Sequence, residues 1–120
     1  MKKISALVFL TFIILFISCE KDPYFNVGFD STINDNSNGI VFADISDNVE
    51  KIYLNGSISV EEGEVEIILL NPSGVETYKK IVTAPEDINI DETFEAEPGE
   101  WKLKYLSREG VGEIDLHIHI

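Results

Sequence analysis

At 120 residues with 44% apolar side chains, the chain is long enough for one domain with a modest core and too apolar to be disordered. Its 22 carboxylates against nine lysines and arginines leave a formal net charge of −13. Such a surface repels phosphate backbones and excludes nucleic acid as a partner, and the same repulsion argues against docking on a bilayer through basic residues.

Lys2 and Lys3 open the chain, and an apolar run from Ile4 to Ile17 ends at Phe16-Ile17-Ser18-Cys19. A basic start, an apolar centre and small residues at the exit make a secretory signal. The run falls short of the roughly 20 apolar residues a spanning helix requires. Phe16-Ile17-Ser18-Cys19 resembles the lipobox of bacterial lipoproteins, with Phe16 where leucine is more usual. The resemblance implies cleavage after Ser18 and acylation of Cys19, which becomes the first residue of the mature chain. Two or three acyl chains anchor a protein stably without a spanning helix, at about 0.8 kcal/mol per buried CH₂. Cys19 is the only cysteine, so no disulfide forms within the chain and no thiolate remains for catalysis or metal binding. Loss of Lys2 and Lys3 leaves seven basic residues against 22 acidic ones. Glu20-Lys21-Asp22 resembles the short charged signals that send some lipoproteins to the outer membrane or cell surface.

Residues 19–39 read as a lipidated N-terminus followed by a flexible tether, centred on the Asp/Asn/Ser-rich stretch from Asp30 to Gly39. Phe25, Val27 and Phe29 alternate with Asn26 and Gly28, a pattern that equally fits a first edge strand. Asn34, Asn36, Asn38 and Gly39 fall near the spacing of a calcium loop, but Ile45 stands where a bidentate Glu belongs, so an EF-hand is rejected. Asp30-Ser31-Thr32 resembles an O-glycosylation acceptor of exported bacterial proteins, but a solvated linker is the preferred reading.

From Ile40 to the end at Ile120 the apolar period is two, which predicts strands. Ile52, Leu54, Gly56, Ile58 and Val60 share one face of a long strand. Asn55-Gly56 is a hairpin signal, but a turn there would set Ile52 against Ser59, so the register favours a turn at Glu62-Gly63 with Val60 opposite Val65. A strand over Glu64 to Leu70 ends at the turn Asn71-Pro72-Ser73-Gly74. Val75 to Thr83 follows, with a break at Ala84-Pro85-Glu86. Ile88, Ile90 and Phe94 then oppose Asp87, Asn89, Asp91, Thr93 and Glu95. Glu97-Pro98-Gly99-Glu100 turns the chain into Trp101, Leu103 and Tyr105, and Ser107-Arg108-Glu109-Gly110 turns it into a last strand of Ile114, Leu116, Ile118 and Ile120. About seven strands at this spacing predict an all-β domain over 40–120, an antiparallel two-sheet β-sandwich. The pattern resembles the small immunoglobulin-like sandwich modules of bacterial surface lipoproteins.

His117 and His119 project from one face of the last strand, a spacing that serves a metal if a carboxylate such as Asp115 joins them. Asp44, Asp47 and Asn48 form one group of hard oxygen ligands and Asp87, Asp91 and Glu92 another, so calcium is the cofactor to test; otherwise none is expected. No G-x-S-x-G frame or phosphate-cradling glycine loop is present, and catalysis is not expected. Tyr53 lies on a polar face with Lys51 and Asn55, and a sugar platform there would need further exposed aromatics beside it. The sequence therefore reads as a non-catalytic, lipid-anchored envelope protein of the outer membrane, periplasmic or surface-facing, that presents a sandwich for a structural or protein-interaction role, with an envelope protein or glycan as partner. The alternative is a carbohydrate- or small-ligand-binding accessory role.

Overall fold

Two long strands carry the architecture. The computed structural model describes residues 26–120; the signal expected over 1–18, Cys19 and Phe25 lie outside the described residues. Six antiparallel strands follow in order: β1 (Asn26–Asp35), β2 (Asn38–Ile45), β3 (Lys51–Leu70), β4 (Glu76–Thr83), β5 (Glu86–Glu95) and β6 (Gly99–His119). β3 and β6 pair with each other from Tyr53 and His119 to Leu70 and Lys102. β1 and β5 flank one half of this ladder, giving the order β1-β6-β3-β5, hereafter sheet one. β2 and β4 flank the other half as β2-β6-β3-β4, sheet two.

The continuous ladder folds on itself at its middle, so the two halves become the layers of a sandwich. Register shifts fall between Val60 and Glu64 of β3, opposite Arg108 to Val111 of β6. Gly63 has φ 70° and Glu109 has φ 54°, and a Cβ on Gly63 would lie 2.3 Å from the Glu109 carbonyl oxygen. Only glycine fits both that backbone region and that close approach. The β1–β2 connection turns at the same level. There the Ser107 Oγ hydrogen donates to the Asp35 carbonyl, the Gly110 amide donates to Ser107 Oγ, and the Ser107 amide donates to the Ser37 carbonyl. At the β4–β5 connection the Ala84 amide donates to the Gly63 carbonyl at 2.9 Å.

Alternation places one face of every strand inside. Ile33, Ile52, Leu54, Ile58, Ile114, Leu116 and Ile118 of sheet one meet Ala43, Val65, Ile67, Leu69, Val82, Trp101 and Leu103 of sheet two, and all are essentially without solvent exposure. Two aromatic contacts bridge the layers edge-on. Phe29 of β1 meets Tyr105 of β6 at 4.8 Å, and Tyr78 of β4 meets Phe94 of β5 at 6.3 Å. Burial of Trp101 is matched by a hydrogen bond from its Nε1 to the Glu97 carbonyl.

Three expectations are corrected. The Glu62-Gly63 hairpin is absent: Val60 pairs with Gly112 and Val65 with Ser107, so the chain bends from one sheet into the other without reversing. Ser107 to Gly110 is likewise a bend within β6, and the strands number six instead of about seven. A left-handed glycine between two apolar-periodic runs looks alike in a hairpin and in a corner, and only the distant partner strand separates them. Third, the tether assigned to 19–39 does not extend that far. Val27 and Phe29 belong to β1, which pairs with β6 over its full length, and Asn38 and Gly39 open β2. Asn55-Gly56, as the register predicted, sits inside β3.

Candidate functional site

The outer face of sheet one carries the most continuous polar surface. Two rows of side chains cross all four strands: Asp30, Asp115, Ser57 and Asn89 in the first, and Thr32, Glu113, Ser59 and Asp87 in the second. Short Ser57 lies between longer Asp115 and Asn89, and Ser59 between Glu113 and Asp87, and the rows line a groove of about 530 Å³. Hydroxyl, carboxamide and carboxylate groups therefore meet across a rigid ladder, a surface built to exchange hydrogen bonds with a polar ligand.

Beside the groove the same face holds both imidazoles. His117 lies between Asp115 and Asn26, its Nε2 at 2.9 Å from Asp115 Oδ1 and its Nδ1 at 3.0 Å from Asn26 Oδ1. Its ring rests over Gly28, where a Cβ would come within 2.9 Å of the imidazole. His119 contacts Asn55 Oδ1 through Nε2, and Asn55 Nδ2 donates to Asp91 at 2.6 Å. Tyr53 stacks on the His119 ring, with centroids 5.3 Å apart and planes 21° from parallel.

This arrangement fixes the fate of the candidate ligands. His117 and His119 share a face as the spacing predicted, but each is committed to different neighbours. Asp44 lies near the end of β2, on its outer face, and in the loop after Ile45, which also holds Asp47, Ser46 Oγ donates to Asn48 Oδ1. Asp87 and Asp91 lie on the outer face of β5, whereas Glu92 pairs opposite inward-facing Leu54 and points to the other side, toward Tyr78. Alternation within a strand divides what the sequence read as one acidic group. Among the described residues no three His, Cys, Asp or Glu side chains come close enough to hold a metal ion together.

Burial pushes the Tyr78 hydroxyl above the ordinary phenol range, and the charge of Glu92 pushes it further. This tyrosine is at the rim of the interior, away from the groove.

Sequence reading placed Asp30 and Thr32 in a tether and left Ser57 and Ser59 as the polar side of a strand. A signal for the serines was present in Ser57-Ile58-Ser59, small hydroxyls on one face where long side chains usually stand. Nothing local announced that β1 would carry Asp30 beside them.

The opposite face, on sheet two, is chemically different. Ile40 and Phe42 of β2 point outward opposite Lys104 and Lys102 of β6, and are 44% and 51% exposed. Leu106 and Ile81 are also exposed on this face, on either side of Glu66, and buried Ile68 and half-buried Leu70 lie further along β3. Lys79 and Arg108 meet Glu66 there, and Arg108 also meets Glu64.

No protein-family model matches the sequence, and no curated protein matches it. Solved structures similar to the sandwich include a chain of the disulfide-linked pili of Bacillus endospore appendages, at 19% identity and TM-score 0.49, over 80% of this chain and 84% of that one. The insecticidal delta-endotoxin Cry8Ea1 of Bacillus thuringiensis is 14% identical at TM-score 0.48, over 78% of this chain and 19% of that one. A CBM36-1 domain of a multidomain xylanase from the hindgut metagenome of Trinervitermes trinervoides is 8% identical at TM-score 0.49, over 85% of this chain and 92% of that one. At these values the likeness says nothing about ligand or activity.

Proposed function

We propose that this chain is a non-catalytic lipoprotein of the bacterial envelope, held in the outer membrane by acyl chains on Cys19, and that its sandwich presents the groove of sheet one to an envelope protein. The observation that carries the reading is the groove itself, where eight polar side chains from four strands meet on a ladder too well paired to rearrange. Both imidazoles are engaged by Asn and Asp side chains or a ring stack, the partners of a fixed surface and not of an activated nucleophile. A photo-crosslinking residue at Asn89, used in intact cells, tests this: capture of a defined envelope protein supports it, and absence of any adduct overturns it.

One observation favours a second reading, a glycan ligand in the same groove. Tyr53 stacked on His119 is an exposed planar surface beside Asn55 and Asp91, which supply hydrogen-bonding groups. Binding of envelope polysaccharide that survives in wild type and is lost in Tyr53→Ala, without protein capture from Asn89, would select it.

A further inference from the structure

We propose that the outer face of sheet two is the surface this domain lays on a lipid bilayer, so that the groove of sheet one points away from the membrane. The inference rests on the anchor reading of Cys19 and adds an orientation to it.

The first observation is the length of chain between anchor and fold. β1 begins at Asn26, only seven residues after Cys19. Seven residues reach at most ~25 Å when fully extended and about 15 Å as flexible chain. A domain of this size has a radius of gyration of roughly 12 Å, so a tether this short keeps the sandwich within about one domain diameter of the headgroups and leaves a face of it within reach of them.

The entry of the tether brings the β1–β2 edge of the sandwich near the membrane. Asn26 lines an open groove along that edge with Val27, Gly28 and His117 of sheet one and Ile40, Val41 and Phe42 of sheet two. The acyl anchor is thereby tied next to the two exposed apolar side chains of β2.

Charge selects the face. Six carboxylates and one lysine occupy the outer face of sheet one, a surface that anionic headgroups repel. Of the six lysines and arginines among the described residues, four stand on the outer face of sheet two: Lys79, Lys102, Lys104 and Arg108. Five carboxylates share this face: Glu64 and Glu66, engaged by Arg108 and Lys79, and Asp44, Glu76 and Glu100 at the end away from the bend; Lys102 and Lys104 make no ion pair among the described residues, so this face is far less negative than that of sheet one. Of the six exposed large apolar residues, four are on this face: Ile40, Phe42, Ile81 and Leu106. Apolar tips between lysines whose stems lie along apolar surface suit the boundary between acyl chains and headgroups.

The test uses the full chain made in a lipoprotein-processing host, reconstituted in vesicles of phosphatidylethanolamine with and without phosphatidylglycerol. With Cys19 acylated, Phe42→Cys and Thr93→Cys each offer one thiol for a nitroxide label, on opposite faces. The label at 42 is expected to be more accessible to oxygen than to a water-soluble nickel chelate, and the label at 93 the reverse. Lys102→Glu with Lys104→Glu should reduce that difference in the anionic vesicles. Equal accessibility at both positions, or the reversed order, overturns the orientation, as does spin–spin broadening at 42, which would put a second copy on this face. Mass spectrometry of the same samples separates the two claims: an unmodified Cys19 removes the anchor and the tether limit with it, whereas an acylated Cys19 with a water-exposed label at 42 removes only the orientation.

Discussion

The two outer faces of the sandwich are built from the same two strands and are chemically opposite. Where β3 and β6 pass through sheet one they turn Ser57, Ser59, Glu113, Asp115 and His117 outward; where they pass through sheet two they turn Leu70, Lys102, Lys104, Leu106 and Arg108 outward, with Glu64 and Glu66 beside the arginine. The bend at Gly63 and Glu109 is what converts one ladder into two surfaces. Net charge conceals this division. A formal −13 argued against contact with a bilayer, yet the charge is not spread evenly: of the six basic side chains among the described residues, four stand on the outer face of sheet two.

Separating the two faces depends first on the layer between them. Trp101→Ala removes the largest fully buried side chain and should cost about 3–5 kcal/mol. Urea unfolding monitored by far-ultraviolet circular dichroism checks this, and a loss below 1 kcal/mol, using roughly 25 cal/mol per Å² of buried apolar area as the yardstick, would mean that the layers are not packed as described. The corner comes next. Gly63→Ala places a Cβ against the Glu109 backbone at positive φ, and strain of this kind costs about 1–3 kcal/mol. Should it leave the unfolding midpoint unchanged, the bend does not depend on glycine.

Changes confined to one face should leave stability nearly untouched and divide function cleanly. Ile40→Ser with Phe42→Ser lies on exposed surface of sheet two and should shift stability by no more than about 0.5 kcal/mol per site. It should weaken contact with vesicles while crosslinking from Asn89 proceeds as before. Ser57→Trp fills the groove of sheet one and should do the reverse, abolishing partner capture with vesicle contact intact. Either variant affecting both readouts would show that the faces are not independent.

How far the sequence determined these features depends on range. Period two marks the inward faces of β3, β5 and β6, and Trp101, Leu103 and Tyr105, which alternate with Lys102 and Lys104, are buried. Asn71-Pro72-Ser73-Gly74 forms the expected turn, with the Gly74 amide donating to the Asn71 carbonyl and the Val75 amide to Asn71 Oδ1. Each of these is decided by neighbours a few residues apart. β1 was not, because Asp30-Ser31-Thr32 and Asn34-Asp35 carry the composition of a linker and become a strand through pairing with residues some eighty positions away. The groove was hidden for the same reason: its rows join strands from the two ends and the middle of the chain.

The smallest expected effect concerns the edge of the sandwich away from the tether, where β4 and β5 bring Tyr78 against Phe94. Burial raises the Tyr78 hydroxyl above its ordinary value of 10.0, and Glu92 adds to the shift. The folded chain therefore holds this proton more tightly than the unfolded chain, so its contribution to stability is fully present below pH ~10 and is lost as pH rises through the folded-state value. Tyr78→Phe keeps the ring contact and removes the titrating group. Melting temperatures followed from pH 8 upward should fall more steeply for wild type than for the variant, with the two curves parallel below pH ~10. Coincident alkaline limbs would mean that Tyr78 is solvated in the folded chain and that β4 and β5 stand further apart at this rim than the aromatic contact requires. A steeper limb in wild type, with vesicle contact and groove capture unchanged, would place the first opening of the sandwich at the one edge that serves neither face.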